Sequence, residues 1–361
     1  MAFGMTTREL WRNIMHYGRF DRMPVTVVGG WDETRRRWAD EGLPSDANLC
    51  EHFQGVPRWR QIAVNMEPYP PFEEEIFEET DQYVIKRHPW YGVVEKHIKG
   101  RSSVPQFIRA ELRTADDWPA FRERLRPDER RIPADLDAQI AAAESSSLPI
   151  VIRTVSLMGA IRNWMGVENM CYLMHDAPDV YAEMVDTSAE LSCWAIDQII
   201  SRMRETPDMA LGWEDICGRS GPLVSPRVFE RCVAPGYRKV TAKLRAHGIT
   251  LHAIDTDGDI SALAGLWLEA GVNVQFPFEI GVWNADPMSF RQRYGRELRI
   301  IGGFNKLALE KGPKEIDAEI ARRLPLMTEG GFVLQPDHAI TPDTPLANYR
   351  YYIERIRELR L

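Results

Sequence analysis

The stretch whose reading decides the fold is Ile249-Thr250-Leu251-His252-Ala253-Ile254-Asp255-Thr256-Asp257-Gly258-Asp259, followed by the apolar-periodic run Ile260 to Phe276. Its first residues are those of a buried strand. The cluster Asp255 to Asp259 has turn chemistry, with Gly258 supplying backbone freedom and Asp259 able to cap the next helix. Ala262, Leu263, Leu266, Trp267 and Ala270 then recur at helical spacing, and Gly271 closes the helix before a second apolar run, Val272 to Phe276. Strand, helix and strand in this order form a βαβ unit, which buries both faces of its strands in a parallel sheet. One histidine and three aspartates crowd the carboxyl end of the first strand, where such sheets and barrels place their chemistry.

Working outward, further strand-like runs recur, most of them followed by helical patterns. They are Val25 to Val28, Ile62 to Val64, Leu148 to Val155, Met209 to Trp213, Leu298 to Ile301 and Gly331 to Gln335. With Ile249 to Ile254 and Val272 to Phe276 they total eight, the number a (β/α)₈ TIM-type barrel requires. Residues 73–100 alternate differently. Glu75 to Glu78, Tyr83 to Lys86 and Gly92 to Lys96 read as an antiparallel meander inserted into the barrel. We expect one α/β barrel domain over residues 1–361.

The chain has 361 residues, 44% hydrophobic and 27% charged, with a net charge of −8. Its Lys and Arg are dispersed, so there is no basic face for nucleic acid. Five separated cysteines without a CxxC pair predict reduced thiols and a cytoplasmic protein. The opening MAFGMTTRELW has no apolar core of a signal peptide, and no run is long enough to span a membrane. No nucleotide cofactor is expected.

The C-terminal third carries Arg299-Ile300-Ile301-Gly302-Gly303-Phe304-Asn305-Lys306 with Leu309-Glu310-Lys311-Gly312, then Gly330 to His338 with Pro342-Asp343 and Asn348-Tyr349. Upstream stand Trp213 to Gly218 with Leu223-Val224-Ser225-Pro226, and Asp21-Arg22-Met23-Pro24-Val25 near the start. This ordered set resembles the uroporphyrinogen decarboxylase superfamily over nearly the whole chain. The resemblance implies a (β/α)₈ barrel and one of two chemistries. One is decarboxylation of a tetrapyrrole; the other is zinc-dependent methyl transfer between corrinoid proteins and thiols. Where the decarboxylases carry an arginine-rich RQAGRY motif, this chain reads Gly29-Gly30-Trp31-Asp32-Glu33-Thr34. Where the methyltransferases carry His-x-Cys, it has His252 and Ile254, and Asp337 or His338 replaces their second cysteine.

The catalytic candidates are therefore His252, Asp255, Asp215 and His338. His252, His338 and Glu214 form a metal-ligand candidate set suited to zinc or another divalent metal. Adjacent strand residues point in opposite directions, so at most one of Glu214 and Asp215 faces the lumen; the resemblance implies Asp215, which matches a substrate-contacting position of the decarboxylases. Arg153, in a predicted strand, either binds an anionic substrate or forms an ion pair. Trp31 and Trp213 are candidate pocket walls, and Glu279 is a candidate base or ligand. Gly302 and Gly303 either cradle an anion or pack closely. Methyl transfer from a methylated small molecule, with a corrinoid delivered by a separate partner protein, is the expected activity. Tetrapyrrole decarboxylation and non-catalytic corrinoid binding are the alternatives, and a homodimer is the assembly considered.

Overall fold

The computed structural model of the chain describes residues 4–100, 105–281 and 283–361. The first three residues of the opening stretch therefore lie outside the described residues. The strands, in chain order, are β1 (Arg60–Ile62), β2 (Ile76–Glu79), β3 (Tyr83–Arg87), β4 (Val94–Ile98), β5 (Gln106–Arg109), β6 (Ile150–Arg153), β7 (Met209–Trp213), β8 (Cys217–Gly218), β9 (Gly221–Pro222), β10 (His252–Asp255), β11 (Val274–Phe278), β12 (Arg299–Phe304) and β13 (Phe332–Pro336). Seven of them form one parallel sheet in the order β1-β6-β7-β10-β11-β12-β13. The register of β10 against β11 pairs Ala253 with Val274, Ile254 with Gln275 and Asp255 with Phe276, all inside the stretch quoted at the outset.

The sheet curls, and the segment Val25 to Gly30 spans the gap between its edges. Thr26 pairs with Val56 just before β1, and Gly30 pairs with Ile340 just after β13, both in parallel. The Tyr349 hydroxyl, on helix Leu346–Glu358, donates to the Val28 carbonyl (2.8 Å) and accepts from the Val28 amide (2.9 Å). This segment replaces a regular eighth strand: its backbone groups divide between two distant edges and a tyrosine. The architecture is that of a TIM-type barrel. Its core is apolar on both sides of the sheet, with Ile150, Val151, Ile152, Ile254, Val274 and Ile300 fully buried.

The meander is broader than its sequence pattern. β2, β3, β4 and β5 form a four-stranded antiparallel sheet, so the excursion runs on to Arg109. Gln106-Phe107-Ile108-Arg109 has only two apolar residues and all four are exposed, so alternation against a core did not mark it. The predicted helix after β10 is Ala264–Glu269, and Gly271 follows it at φ +94°. Thr6 and Glu9 make a reciprocal capping box at the first helix, Thr7–Met15.

Gly302 and Gly303 are dictated by packing. Gly302 lies at φ +119°, and a Cβ there would sit 2.6 Å from the Phe278 amide nitrogen. At Gly303 a Cβ would sit 2.9 Å from the Phe332 ring. These surroundings select close strand packing over anion binding. Gly302→Ala should cost about 2 kcal/mol or more, from the positive φ and the clash together. Urea denaturation of the variant checks this, and an unchanged midpoint would contradict it.

Candidate active site

The carboxyl ends of the parallel strands and their following turns surround a continuous cleft. It comprises three adjoining cavities of about 230, 320 and 220 Å³, and Trp213 lines all three. Asp255, at the end of β10, lines two of them together with Arg58 and Phe276. The Arg58 guanidinium lies 5.1 Å from the centre of the Phe276 ring and donates to Gln335 (3.1 Å). Trp59 meets Phe276 edge-on at 5.2 Å. Flat apolar walls thus flank a half-buried carboxyl group.

Burial raises Asp255 from its ordinary 3.8 to about 7, and the nearby Asp257 adds to the rise, while Arg58 opposes it. A carboxyl group at this value is an acid and a base in comparable amounts near neutrality. Asp257 is paired differently. Its carboxylate lies 3.1 Å from His338 Nε2, and this hydrogen bond raises the imidazole above its usual value. His338 Nδ1 is buried without a hydrogen-bond partner among the described residues. Trp31, 43% exposed, stands at the rim edge-on to the His338 ring.

Asp215 lines the same cavity as Asp255 and His338. It adopts φ +45°, a left-handed conformation that aspartate tolerates better than most side chains. Arg162 holds it, donating to its carbonyl and lying 3.4 Å from its carboxylate, and also sits 5.3 Å over the Trp213 ring. Glu214 turns the other way and is fully buried behind the cleft. It accepts hydrogen bonds from the amides of Leu157 (2.7 Å), Met158 (2.8 Å) and Gly159 (2.7 Å), from Ser156 Oγ (2.8 Å), and from the Tyr237 hydroxyl. Burial pushes this carboxyl up and those donors pull it back.

His252 is also turned away. It is 3% exposed, packs near Tyr237 of the helix Ala234–Ala246 and lies 3.2 Å from Thr241 Oγ1. Burial lowers it to about 4, so it is a neutral core histidine. The expected combination of His252, His338 and Glu214 is thus not assembled, because two of the three face the outer helices. Among the described residues, no group of three or more His, Cys, Asp or Glu is placed to hold a metal ion. This donor set does not fit the zinc site that the resemblance suggested.

Glu279 is 5% exposed and accepts from the Gly258 amide (2.7 Å), so it shapes the turn that carries Asp257. It braces the site from behind. Arg153, at the end of β6, is exposed to the cleft and makes no ion pair or hydrogen bond with any described residue. The structural ion pair considered for it is absent among the described residues. Sequence reasoning passed over Arg58, Trp59, Glu67, Tyr91 and Asn163, all of which line the cleft. Most come from connecting segments without periodicity, and the apolar run nearest to Arg58 and Trp59 is Ile62 to Val64.

Glu214 gathers five hydrogen bonds behind the site, from Ser156, Leu157, Met158, Gly159 and Tyr237. Glu214→Ala should destabilise the fold by about 3–5 kcal/mol, because it leaves several buried donors unsatisfied. Glu214→Gln should lose less. Chemical denaturation of both variants checks the order.

The profile of the family described as Uroporphyrinogen decarboxylase (URO-D) matches residues 107–359. The uroporphyrinogen decarboxylase of Sphingopyxis alaskensis is 22% identical over 278 residues, 76% of each chain. That of Phenylobacterium zucineum is 28% identical over 138 residues, and the match spans 37% of this chain and 38% of the relative. Among solved structures, a methyltransferase from Methanosarcina mazei superposes with a TM-score of 0.60 at 15% identity, covering 98% of this chain and 99% of that one. That likeness is one of fold. With a family profile matching well over half its length, the chain belongs to the uroporphyrinogen decarboxylase (URO-D) family.

Proposed function

We propose that the cleft transfers a methyl group from a flat, methylated small molecule, with Asp255 as the proton donor to the departing heteroatom. The observation that carries this is the half-buried Asp255, held near neutrality between the aromatic walls of Trp59, Trp213 and Phe276. In the proposed step the bond between the methyl carbon and its heteroatom breaks. The methyl group passes to an acceptor at the open mouth, and the bonding electron pair stays on the heteroatom. That atom then takes the Asp255 proton, so a poor anionic leaving group departs neutral. His338, which Asp257 raises above its usual value, lines the same cavity and in its protonated form favours the developing negative charge. A corrinoid carried by a partner protein is the acceptor suggested by the superfamily; when reduced, it supplies the nucleophile.

The second reading is decarboxylation of a tetrapyrrole, favoured by the activity for which the Sphingopyxis and Phenylobacterium relatives are named. Asp255 would then protonate the ring. The charge of the cleft argues against it. With Asp255 carrying its proton, Glu67, Asp215 and Asp257 line the cavities beside Arg58, Arg153 and His338, so cations hold no excess over acids. A macrocycle with many carboxylates needs a clear excess of cations.

Methyl transfer to reduced cobalamin from a panel of methylated aromatic ethers and amines, followed by absorbance, tests the proposal. Asp255→Asn should lower kcat about 10²–10⁴-fold. In the wild-type protein the rate should fall as pH rises through about 7, because only the protonated carboxyl donates. Full activity in Asp255→Asn would contradict the assignment. Release of CO₂ from uroporphyrinogen, with no methyl transfer, would replace it with the second reading.

A further inference from the structure

Beyond Asp255 the cleft continues into an arm of about 230 Å³, bounded by Trp213 and walled by Asn65, Glu67, Tyr91, Arg153 and Asn163. The walls come from four separate segments of the chain, and three of these are visibly braced. Arg131, 1% exposed, donates to the carbonyl oxygens of Asn65 (3.3 Å) and Glu67 (2.6 Å) and to that of Arg126 (2.9 Å). A fully buried guanidinium is thereby satisfied by backbone alone, and it fixes the loop that carries Asn65 and Glu67. Tyr91 lies in the turn between β3 and β4, stacked on His88 with ring centres 4.1 Å apart and planes 5° from parallel. Gly92 in that turn has φ +71° and packs against Phe72, whose ring meets Phe121 at 5.9 Å, so the turn is tied to the barrel's helices. Asn163 stands on the helix Gly159–Met165, whose first amide is held by Glu214.

Into this braced arm projects Arg153, whose guanidinium is paired with no described residue. Glu67 does not neutralise it by an ion pair. Burial raises the Glu67 carboxyl above its usual value, and Arg153 and Arg131 only partly reverse this. The arm therefore presents an unpaired cation together with polar donors on the walls of the cleft. Charge-assisted and bidentate hydrogen bonding make a planar carboxylate the natural match for a guanidinium.

We infer that the arm is a carboxylate-binding subsite in which Arg153 and Tyr91 fix one end of the substrate, so that the inserted meander selects anionic aromatic acids. This rests on the proposed function in that the other end of the same molecule reaches Asp255. The flat substrate then lies along Trp213 with its carboxylate near Arg153 and its methylated end in the Asp255 cavity. Substrate choice falls to Arg153 and to Tyr91 of the meander, and proton transfer to Asp255.

Calorimetric titration with benzoate and with its neutral isostere benzamide tests the subsite without requiring turnover. Wild-type protein should bind benzoate about tenfold or more tightly than benzamide, the preference expected of a charge-assisted hydrogen bond. Arg153→Met keeps the apolar stem and should abolish that preference; Tyr91→Phe should reduce it. Asp255→Asn should leave the preference intact. Equal binding of the two probes by the wild-type protein, absence of benzoate binding, or an undiminished preference in Arg153→Met would each overturn the subsite. Thermal melting of each variant separates loss of the site from loss of the fold. A preference lost in Arg153→Met while Asp255→Asn retains full methyl transfer would uphold the subsite and reject the proton donor. The reverse pattern would reject the subsite alone.

Discussion

Glu214 sets the geometry on which the rest of the site depends. Its buried carboxylate gathers the amides of Leu157, Met158 and Gly159, the Ser156 hydroxyl and the Tyr237 hydroxyl. Its own amide donates to the carbonyl of Asp255 (2.7 Å), and the next amide, of Asp215, reaches the same oxygen (3.2 Å). One residue therefore connects the loop after β6, the end of β7, the end of β10 and the helix behind them. A buried charge is costly unless its hydrogen bonds are complete, so these elements are mutually fixed. Asp255 is placed by this backbone lattice rather than by a partner for its side chain. Its carboxyl is left without an ion pair among the described residues, and burial keeps it protonated up to near neutrality.

The same constraint separates bracing groups from those that face the cleft. Residues behind the sheet, Glu214, His252 and Glu279, are held by protein partners or packed among helices. Those in front, Asp255, Arg153 and His338, retain unsatisfied capacity. A cleft in which cations do not outnumber acids, but which holds one unpaired arginine, suits a small substrate carrying one negative charge better than a polycarboxylate macrocycle.

Much of the fold was legible in the chain. The βαβ pattern at Ile249 to Phe276 and its regular recurrence identify a parallel barrel, because each strand buries both faces and reads as a continuous apolar run. The segment Val25 to Gly30 was harder, since it makes only isolated bridges and owes its place to Tyr349, 321 positions from Val28. Of the candidate residues, the structure brings Asp255, Asp215 and His338 to one cavity and turns His252 and Glu214 away from it. His252 and Asp255 are three residues apart on one strand, and alternation alone puts them on opposite faces. Resemblance to a ligand position outweighed that rule in grouping the candidates, and the structure obeys the rule. Arg58, Glu67 and Tyr91 were hidden because loops bring them in, and loops carry no period from which a facing direction can be read.

Asp255 keeps its proton up to about neutral pH, where half of its carboxyl groups are ionised. Infrared difference spectra between the wild-type protein and Asp255→Asn, followed across pH, isolate the C=O band of that one protonated carboxyl group. The account predicts that the band persists through mildly acidic pH and is half lost at about pH 7. A band half lost close to 3.8, the ordinary value for an aspartate, would show a carboxylate already ionised under working conditions and would contradict the account.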